Sequence, residues 1–276
     1  MTELDLATPD GRTLHVHDTG GTGLPVFWHH GTPNTGEPPE PLFPAAERLG
    51  IRWVSYDRPG YGGSSARRGR DVASAADDVA SIVDALGIDR FGVMGHSGGG
   101  PHALACAALL PDRVVAAVAV AGPAPFDADG LDWFAGMAAS QLASLGAAAA
   151  GRAAKEEYET SDGGHDPEFI PADLATLQGP WSWVLDVIVA AVEAGPAARI
   201  DDDLAFVSPW AFDVAQVVAP VLLLHGGRDR MVPAAHSVWL ARRCATSELR
   251  LSPGDGHLSI LDSAESALEW LWAHAE

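Results

Sequence analysis

Short apolar runs alternate along most of the chain with longer stretches whose apolar positions recur at helical spacing. The apolar runs predict eight strands, at about 3–8, 12–18, 24–29, 51–56, 90–94, 114–121, 220–225 and 248–251. Helices are predicted between them, at about 41–49, 71–86, 98–110, 233–244 and 263–275. Nearly continuous apolar strands that alternate with helices are typical of a parallel sheet covered on both faces. We therefore expect an α/β fold with a mostly parallel eight-stranded sheet flanked by helices.

The alternation stops at Gly122-Pro123 and returns after residue 212. Between these points the sequence predicts helices and no strand, at 131–145, 147–159, 172–178 and 181–194. This stretch holds 15 acidic residues against three basic ones, which accounts for −12 of the net charge of −20. We predict a core made of residues 1–122 and 213–276. Residues 123–212 are predicted to be inserted after the sixth strand as a helical lid over the carboxyl edge of the sheet.

The turn between the fifth predicted strand and its helix has the sequence Gly95-His96-Ser97-Gly98-Gly99. It matches the G-x-S-x-G pattern, in which a serine sits on a sharp, strained strand-to-helix turn. Residues two positions away from that serine must lack bulk, because the strand and the helix approach each other closely there. The first N–H groups of the helix also point toward anything bound to the serine. The pattern in this context indicates that Ser97 is a nucleophile.

A serine hydroxyl becomes a good nucleophile only when a base takes its proton and an acid orients that base. His257 lies in a Gly-rich loop after the last predicted strand, and Asp229 follows the strand before it. Both positions fall at the carboxyl edge of the predicted sheet, where ligands and catalytic groups gather in open parallel sheets. The order Ser97, Asp229, His257 is that of nucleophile, acid and base in such folds. Asp127, which follows the sixth strand, is kept as an alternative acid.

Four motifs resemble those of the α/β-hydrolase superfamily: His30-Gly31-Thr32-Pro33, Asp57…Gly60…Gly62…Ser64, His225…Asp229…Val232-Pro233 and Gly256-His257. Apart from the inserted segment, the resemblance covers nearly the whole chain, and it is to the lid-bearing branch of esterases and proline iminopeptidases. It implies an α/β-hydrolase fold. It also implies an oxyanion hole formed by the backbone N–H groups of Thr32 and Gly98, which would stabilise a tetrahedral intermediate.

Because the nucleophile position holds serine and not aspartate, the resemblance points away from epoxide hydrolases and haloalkane dehalogenases. We expect a serine hydrolase that cleaves a small-molecule carboxylic ester through an acyl-enzyme on Ser97. An aminopeptidase or amide hydrolase is a first alternative, although HGTP and GHSGG depart from the HGGPG and GGSWGS patterns of proline iminopeptidases. Such an enzyme could bind a substrate amine through Glu156, Glu157 or Glu159. A lactonase or carbon–carbon hydrolase, and a small-ligand-binding protein that keeps the triad with slow turnover, are further alternatives.

A substrate pocket is expected near these motifs and under the inserted segment, lined by His30, His96, Trp133, Trp181 and Trp183. The net charge of −20 argues against nucleic acids and anionic membranes as partners. No apolar run approaches the ~20 residues of a membrane span, and no signal peptide is visible. Two cysteines far apart in the sequence fit a reducing compartment. We therefore expect a cytoplasmic monomer or homodimer that acts on a small molecule, with no cofactor and no metal site.

Overall fold

An eight-stranded sheet forms the centre of the protein in a computed structural model, which describes residues 1–161 and 167–275. The strands are β1 (Thr2–Ala7), β2 (Thr13–Asp18), β3 (Leu24–His29), β4 (Ile51–Tyr56), β5 (Phe91–His96), β6 (Val114–Val120), β7 (Val221–Gly226) and β8 (Ser247–Ser252). They lie in the spatial order β1-β2-β4-β3-β5-β6-β7-β8. The β1–β2 and β2–β4 pairs are antiparallel, and the other neighbouring pairs are parallel. The predicted fold class is therefore confirmed.

Helices cover both faces of this sheet and fill the segment between β6 and β7. Within the described ranges the α-helices are α1 (Phe43–Leu49), α2 (Ser74–Ala85), α3 (Gly99–Leu109), α4 (Ala139–Ala149), α5 (Arg152–Thr160), α6 (Pro171–Thr176), α7 (Trp183–Glu193), α8 (Ala197–Phe206), α9 (Ala235–Arg243) and α10 (Ala264–Ala273). None of these helices is long and apolar enough to span a membrane.

Strand β6 shows how the sheet buries both of its faces. Ala117 and Ala119 pack into one apolar cluster with α2, α3 and α9, whereas Val118 and Val120 pack into a second cluster with α1 and α10. This alternation follows from the two-residue period of a strand. Because the central strands are parallel, their carboxyl ends lie at one edge of the sheet, where the loops after β3, β5, β7 and β8 come together.

The predicted strand bounds agree with the structure to within two residues, but the helices between β6 and β7 are predicted less well. The helix expected at 131–145 begins only at Ala139, because Gly136 takes a φ of 91° in a turn before it. Helix α8 was not predicted at all. It carries Asp201, Asp202 and Asp203 in succession and buries all three. The helical spacing of apolar residues reveals helices that bury apolar side chains. It does not reveal a helix that buries carboxylates.

Residues 123–212, here called the inserted segment, leave the sheet after β6 and return before β7. They contact loops at the carboxyl edge of the sheet: the Thr35 N–H donates to the carbonyl oxygen of Val187 in α7 at 3.1 Å. Two carboxylates of this segment, Asp173 and Asp202, bond to loops that carry predicted site residues. The inserted segment therefore adjoins the candidate site, and its role as a lid stays a prediction.

Candidate active site

Ser97 stands at the turn between β5 and α3 with a φ of 53°, in the left-handed region that side chains rarely adopt. The Ser97 N–H donates to the carbonyl oxygen of Val120 at 2.8 Å, which ties this turn to β6. A Cβ atom at Gly95 would collide with the carbonyl oxygen of Gly99, and a Cβ at Gly99 with that of His29. The close approach of the backbone therefore requires both flanking glycines, as the G-x-S-x-G pattern predicts.

Three polar side chains that are far apart in the sequence form a continuous chain of contacts. His257 Nε2 lies 2.9 Å from Ser97 Oγ, and His257 Nδ1 lies 2.7 Å from Asp229 Oδ2. Since an ionised carboxylate only accepts hydrogen bonds, Nδ1 donates to Asp229 and Nε2 is left to accept the proton of the serine hydroxyl. The structure thus brings together the three residues that the sequence predicts as nucleophile, base and acid.

The Asp229 carboxylate is fixed by its own turn at the carboxyl end of β7. Its Oδ1 accepts hydrogen bonds from the N–H groups of Met231 at 2.8 Å and Val232 at 2.9 Å. Its Oδ2 lies 3.3 Å from Nε2 of His225 as well as 2.7 Å from His257 Nδ1. Because the backbone holds one carboxylate oxygen, the other is directed at the histidine.

Burial and charge shift the pKa values of His257 and Asp229 in opposite directions. Burial disfavours the imidazolium form of His257, but the charge and the hydrogen bond of Asp229 outweigh it, so the pKa of His257 is raised above 6.5. Burial also disfavours the carboxylate of Asp229, but the charge of His257 and the hydrogen bonds from His225 and His257 hold the pKa of Asp229 well below 3.8. The acid therefore stays ionised and stabilises a proton on the base.

Thr32 and Gly98, the predicted oxyanion donors, lie side by side. A Cβ atom on Gly98 would be 2.5 Å from Thr32 Oγ1, so glycine is what allows this approach. Within residues 1–161 and 167–275, neither the Thr32 nor the Gly98 backbone N–H has a hydrogen-bond acceptor. Free, fixed donors next to a nucleophile are the arrangement that stabilises an oxyanion.

A buried carboxylate of the inserted segment holds the Thr32 side chain. Asp202, on α8, accepts hydrogen bonds from Thr32 Oγ1 at 2.6 Å and from Tyr61 OH at 2.9 Å. The same carboxylate pairs with Arg58 at 2.7 Å and with Arg70 at 2.6 Å. Burial would raise the pKa of Asp202, but the charges of Arg58 and Arg70 hold it well below 3.8. Asp202 is therefore ionised in the interior, where two arginines offset its charge.

Arg58 extends this network to the backbone of the same loop. Its guanidinium donates to the carbonyl oxygens of His30 and Gly31 and, at 2.9 Å, to Thr32 Oγ1. Neither Arg58 nor Asp202 was selected from the sequence. Arg58 could have been, since it is the second residue of the Asp57…Ser64 motif, whereas nothing in the sequence around Asp202 indicates a partner.

The loop that carries His257 is held from two sides. Asp173 Oδ1, on α6, accepts hydrogen bonds from the N–H groups of Leu258 at 2.9 Å and Ser259 at 2.8 Å. On the other side, His96 Nε2 donates to the carbonyl oxygen of His257 at 3.1 Å. Burial lowers the pKa of His96 to about 3, so this ring is neutral. Asp173 is a second positioning group that the sequence did not indicate.

Three of the residues predicted to line a pocket have polar partners within the protein. Both ring nitrogens of His30 have partners: its Nδ1 lies 2.7 Å from the Gly31 carbonyl oxygen, and its Nε2 accepts the Arg58 N–H at 3.0 Å. His96 holds the loop that carries His257, as described above. Trp133 donates its indole N–H to the carbonyl oxygen of Ala124 at 2.8 Å and packs among other aromatic rings. These three side chains therefore support the structure around the site.

Trp181 and Trp183 remain predicted pocket residues. Their ring centroids are 6.4 Å apart, and both pack in the apolar cluster that contains Leu258, the neighbour of His257. They thus join the inserted segment to the apolar cluster of the core that contains Leu258.

Asp127 is the alternative acid predicted from the sequence, and Glu159 is one of the glutamates predicted to bind a substrate amine. Asp127 lines a cleft of about 670 Å³ with Trp210 and Trp239, and Asp229 occupies the position beside His257 that an alternative acid would need. Glu159 is buried in ion pairs with Lys155, at 2.7 Å, and with Arg199. Asp127 is therefore not the acid of this site, and Glu159 is not available to bind a substrate amine.

Comparisons with known proteins agree with the fold. A family model described as alpha/beta hydrolase fold matches residues 25–264. A non-heme chloroperoxidase of Streptomyces lividans is 29% identical over 239 residues, which cover 83% of each chain. A pimeloyl-[acyl-carrier protein] methyl ester esterase of Neisseria meningitidis is 30% identical over 229 residues, or 79% of this chain and 81% of the relative. The structure of a thermophilic esterase from Thermogutta terrifontis is similar over the whole of both chains, with a TM-score of 0.72 at 22% identity.

Proposed function

The chain belongs to the α/β-hydrolase fold family, and we propose that it is a serine hydrolase that cleaves small-molecule carboxylic esters through an acyl-enzyme on Ser97. The observation that carries this proposal is the chain of contacts from Asp229 through His257 to Ser97, at 2.7 and 2.9 Å. In this proposal the three side chains act as acid, base and nucleophile, and the free N–H groups of Thr32 and Gly98 supply the oxyanion donors that acyl transfer requires.

In the first half-reaction Ser97 Oγ attacks the ester carbonyl carbon while His257 Nε2 takes the hydroxyl proton. The Thr32 and Gly98 N–H groups stabilise the negative charge that develops on the carbonyl oxygen. Asp229 stabilises the resulting imidazolium, which then gives its proton to the leaving oxygen as the carbon–oxygen bond breaks. The alcohol departs, and the acyl group remains on Ser97.

In the second half-reaction His257 Nε2 takes a proton from a water molecule, whose oxygen attacks the acyl carbon. The same N–H donors stabilise the second oxyanion. When it collapses, the bond to Ser97 Oγ breaks and the imidazolium returns a proton to that oxygen. The carboxylic acid leaves, and the site regains its starting protonation.

An ester is preferred to a peptide as substrate in this proposal. Of the three glutamates considered for binding a substrate amine, Glu159 is neutralised by Lys155 and Arg199, whereas Glu156 and Glu157 are exposed on α5. The esterase names of the Neisseria meningitidis and Thermogutta terrifontis proteins support the same preference. Turnover of short-chain p-nitrophenyl esters and not of aminoacyl anilides would distinguish the two substrate classes.

A fluorophosphonate is expected to add one phosphonyl group per chain, because an activated serine displaces its fluoride. Intact-protein mass spectrometry measures the adduct. Ser97→Ala and His257→Ala should carry none, whereas Ser266→Ala, which removes an exposed serine of α10, should be labelled like the wild type. An unlabelled wild type, or a labelled Ser97→Ala protein, would contradict the proposal.

The pH dependence of kcat/KM for a neutral ester should show the ionisation of His257. Protonated His257 cannot accept the Ser97 proton, so activity is expected to rise with pH through a midpoint above 6.5. In Asp229→Asn the residual activity should have a lower midpoint, because burial then acts on His257 without the opposing carboxylate. His274→Gln, at an exposed histidine after α10, is the control and should leave the midpoint unchanged. An unchanged midpoint in Asp229→Asn would refute this account of the base.

A further inference from the structure

The hairpin formed by β1 and β2 carries four ionisable side chains on one face. Glu3 pairs with His17 across the two strands, and Asp5 pairs with His15. Since residues two apart in a strand point to the same side, all four side chains share that face. Asp57, in the loop after β4, adds a carboxylate: one possible ligand atom each from His15, His17 and Asp57 lies within 4.8 Å of the others.

His17 is buried at this cluster without a hydrogen bond. Its side chain is 4% exposed, and neither ring nitrogen has a hydrogen-bond partner in the described part of the chain. Its Nε2 lies 3.7 Å from Asp57 Oδ1, which is too long for a hydrogen bond. A buried polar group left in this way is costly, and a bound ion would satisfy it.

The spacing of the cluster fits a metal ion. Zinc ligands at about 2.0–2.2 Å from the ion, arranged tetrahedrally, stand roughly 3.3–3.5 Å apart. The 3.7 Å between His17 Nε2 and Asp57 Oδ1 is close to that value, and the same distance separates His15 Nε2 from Glu3 Oε2. The Glu3 side chain is exposed and offers a carboxylate oxygen as a fourth donor on this face.

The surroundings of the histidines also suit metal binding. Asp5 Oδ1 lies 2.8 Å from His15 Nδ1, so that a hydrogen bond donated by Nδ1 leaves the Nε2 lone pair for an ion. Carboxylates commonly orient metal-binding histidines in this way. A Cβ atom on Gly63 would be 2.8 Å from His15 Cγ, so this glycine leaves the space that the ring occupies. Asp5 is exposed, and the cluster is therefore open to solvent on the hairpin side.

We propose that His15, His17 and Asp57, with Glu3 as a fourth ligand, bind a divalent transition-metal ion such as Zn²⁺. Two imidazoles with carboxylates are a donor set that suits Zn²⁺, and the ion would join the β1–β2 hairpin to the loop after β4. The sequence does not reveal this site, because the ligands come from three separate parts of the chain. The site is independent of Ser97 and of the proposed hydrolase activity.

The test is calorimetric titration of the chelator-treated full chain with ZnCl₂. The wild type and His274→Gln, the control at an exposed histidine, should each bind one equivalent. His15→Gln and His17→Gln should lose saturable binding, and Asp5→Asn should bind about 10–100-fold more weakly, as when a group that orients a ligand is removed. Co²⁺ in place of Zn²⁺ should give the visible absorption bands of a four-coordinate site in the wild type and in His274→Gln, and no such bands in His15→Gln or His17→Gln.

Far-UV circular dichroism shows whether each variant is folded. His17 is buried and its variant can lose its structure, so the partly exposed His15 provides the decisive comparison. Absence of saturable Zn²⁺ binding to the wild type, or equal affinity in wild type and His15→Gln, overturns the proposal.

Discussion

Ser97→Ala is expected to lower kcat for ester hydrolysis by about 10⁶-fold, the size of the loss when the nucleophile of a serine triad is removed. The variant keeps the Thr32 and Gly98 donors, so it should still hydrolyse the ester faster than the uncatalysed reaction in water. Alanine is no larger than serine and meets the same positive φ of 53°, and thus the fold should persist. The measurement is steady-state hydrolysis of a p-nitrophenyl ester, with circular dichroism to verify the fold.

The control is Ser266→Ala, which should turn over at the wild-type rate. A second comparison uses the interdependence of the triad: because Ser97 and His257 act as a unit, the Ser97→Ala/His257→Ala double variant should be no slower than either single variant. Full activity in Ser97→Ala would refute the acyl-enzyme mechanism. Loss of activity together with loss of the circular dichroism signal would instead mean that the serine supports the fold.

Asp202→Ala is expected to lower the free energy of unfolding by about 3–5 kcal/mol, as when one partner of a buried ion pair is removed. The Arg58 and Arg70 side chains, 1% and 3% exposed, would keep buried charges with no carboxylate between them. Thr32 would also lose the acceptor of its hydroxyl, so kcat should fall in the protein that remains folded. Urea denaturation and ester turnover measure the two effects.

The matched control is Asp84→Ala, which breaks an ion pair with Arg113 in which the carboxylate is largely exposed. Water screens such pairs, and little change in stability is expected. The pH dependence gives a further check. Because the pKa of Asp202 is held below 3.8, its contribution is present above that pH and is lost as the pH falls through the lower folded value. Equal stability of the wild type and Asp202→Ala at neutral pH would contradict this view of the network.

The sequence predicted the parts of the molecule that depend on local patterns. Apolar runs mark the strands because both faces of the sheet are covered, and Gly95 and Gly99 mark the serine turn because the backbone leaves no space for a side chain. His257 and Asp229 could be found because they follow strands whose carboxyl ends share an edge. These features need little knowledge of distant contacts.

The remaining parts depend on pairings between distant segments. Asp202 bonds to Thr32 across 170 residues, and Asp173 to Leu258 across 85. A carboxylate in a helical segment has the same appearance in the sequence whether it faces water or two buried arginines. The partners of His30 could not be predicted for a related reason, since only the fold shows that Arg58 and the backbone occupy its ring nitrogens.

The separation of Ser97 from His257 also has a consequence for how the protein is made. The two residues are 160 positions apart in the chain, although their side chains are in contact. At typical rates of about 5–20 residues per second, a ribosome adds the base about 8–30 s after the serine. During that interval the hydroxyl has no proton acceptor at 2.9 Å and is as unreactive as any other serine. The nascent chain therefore carries no activated serine until the segment that contains His257 has been synthesised and has joined the sheet.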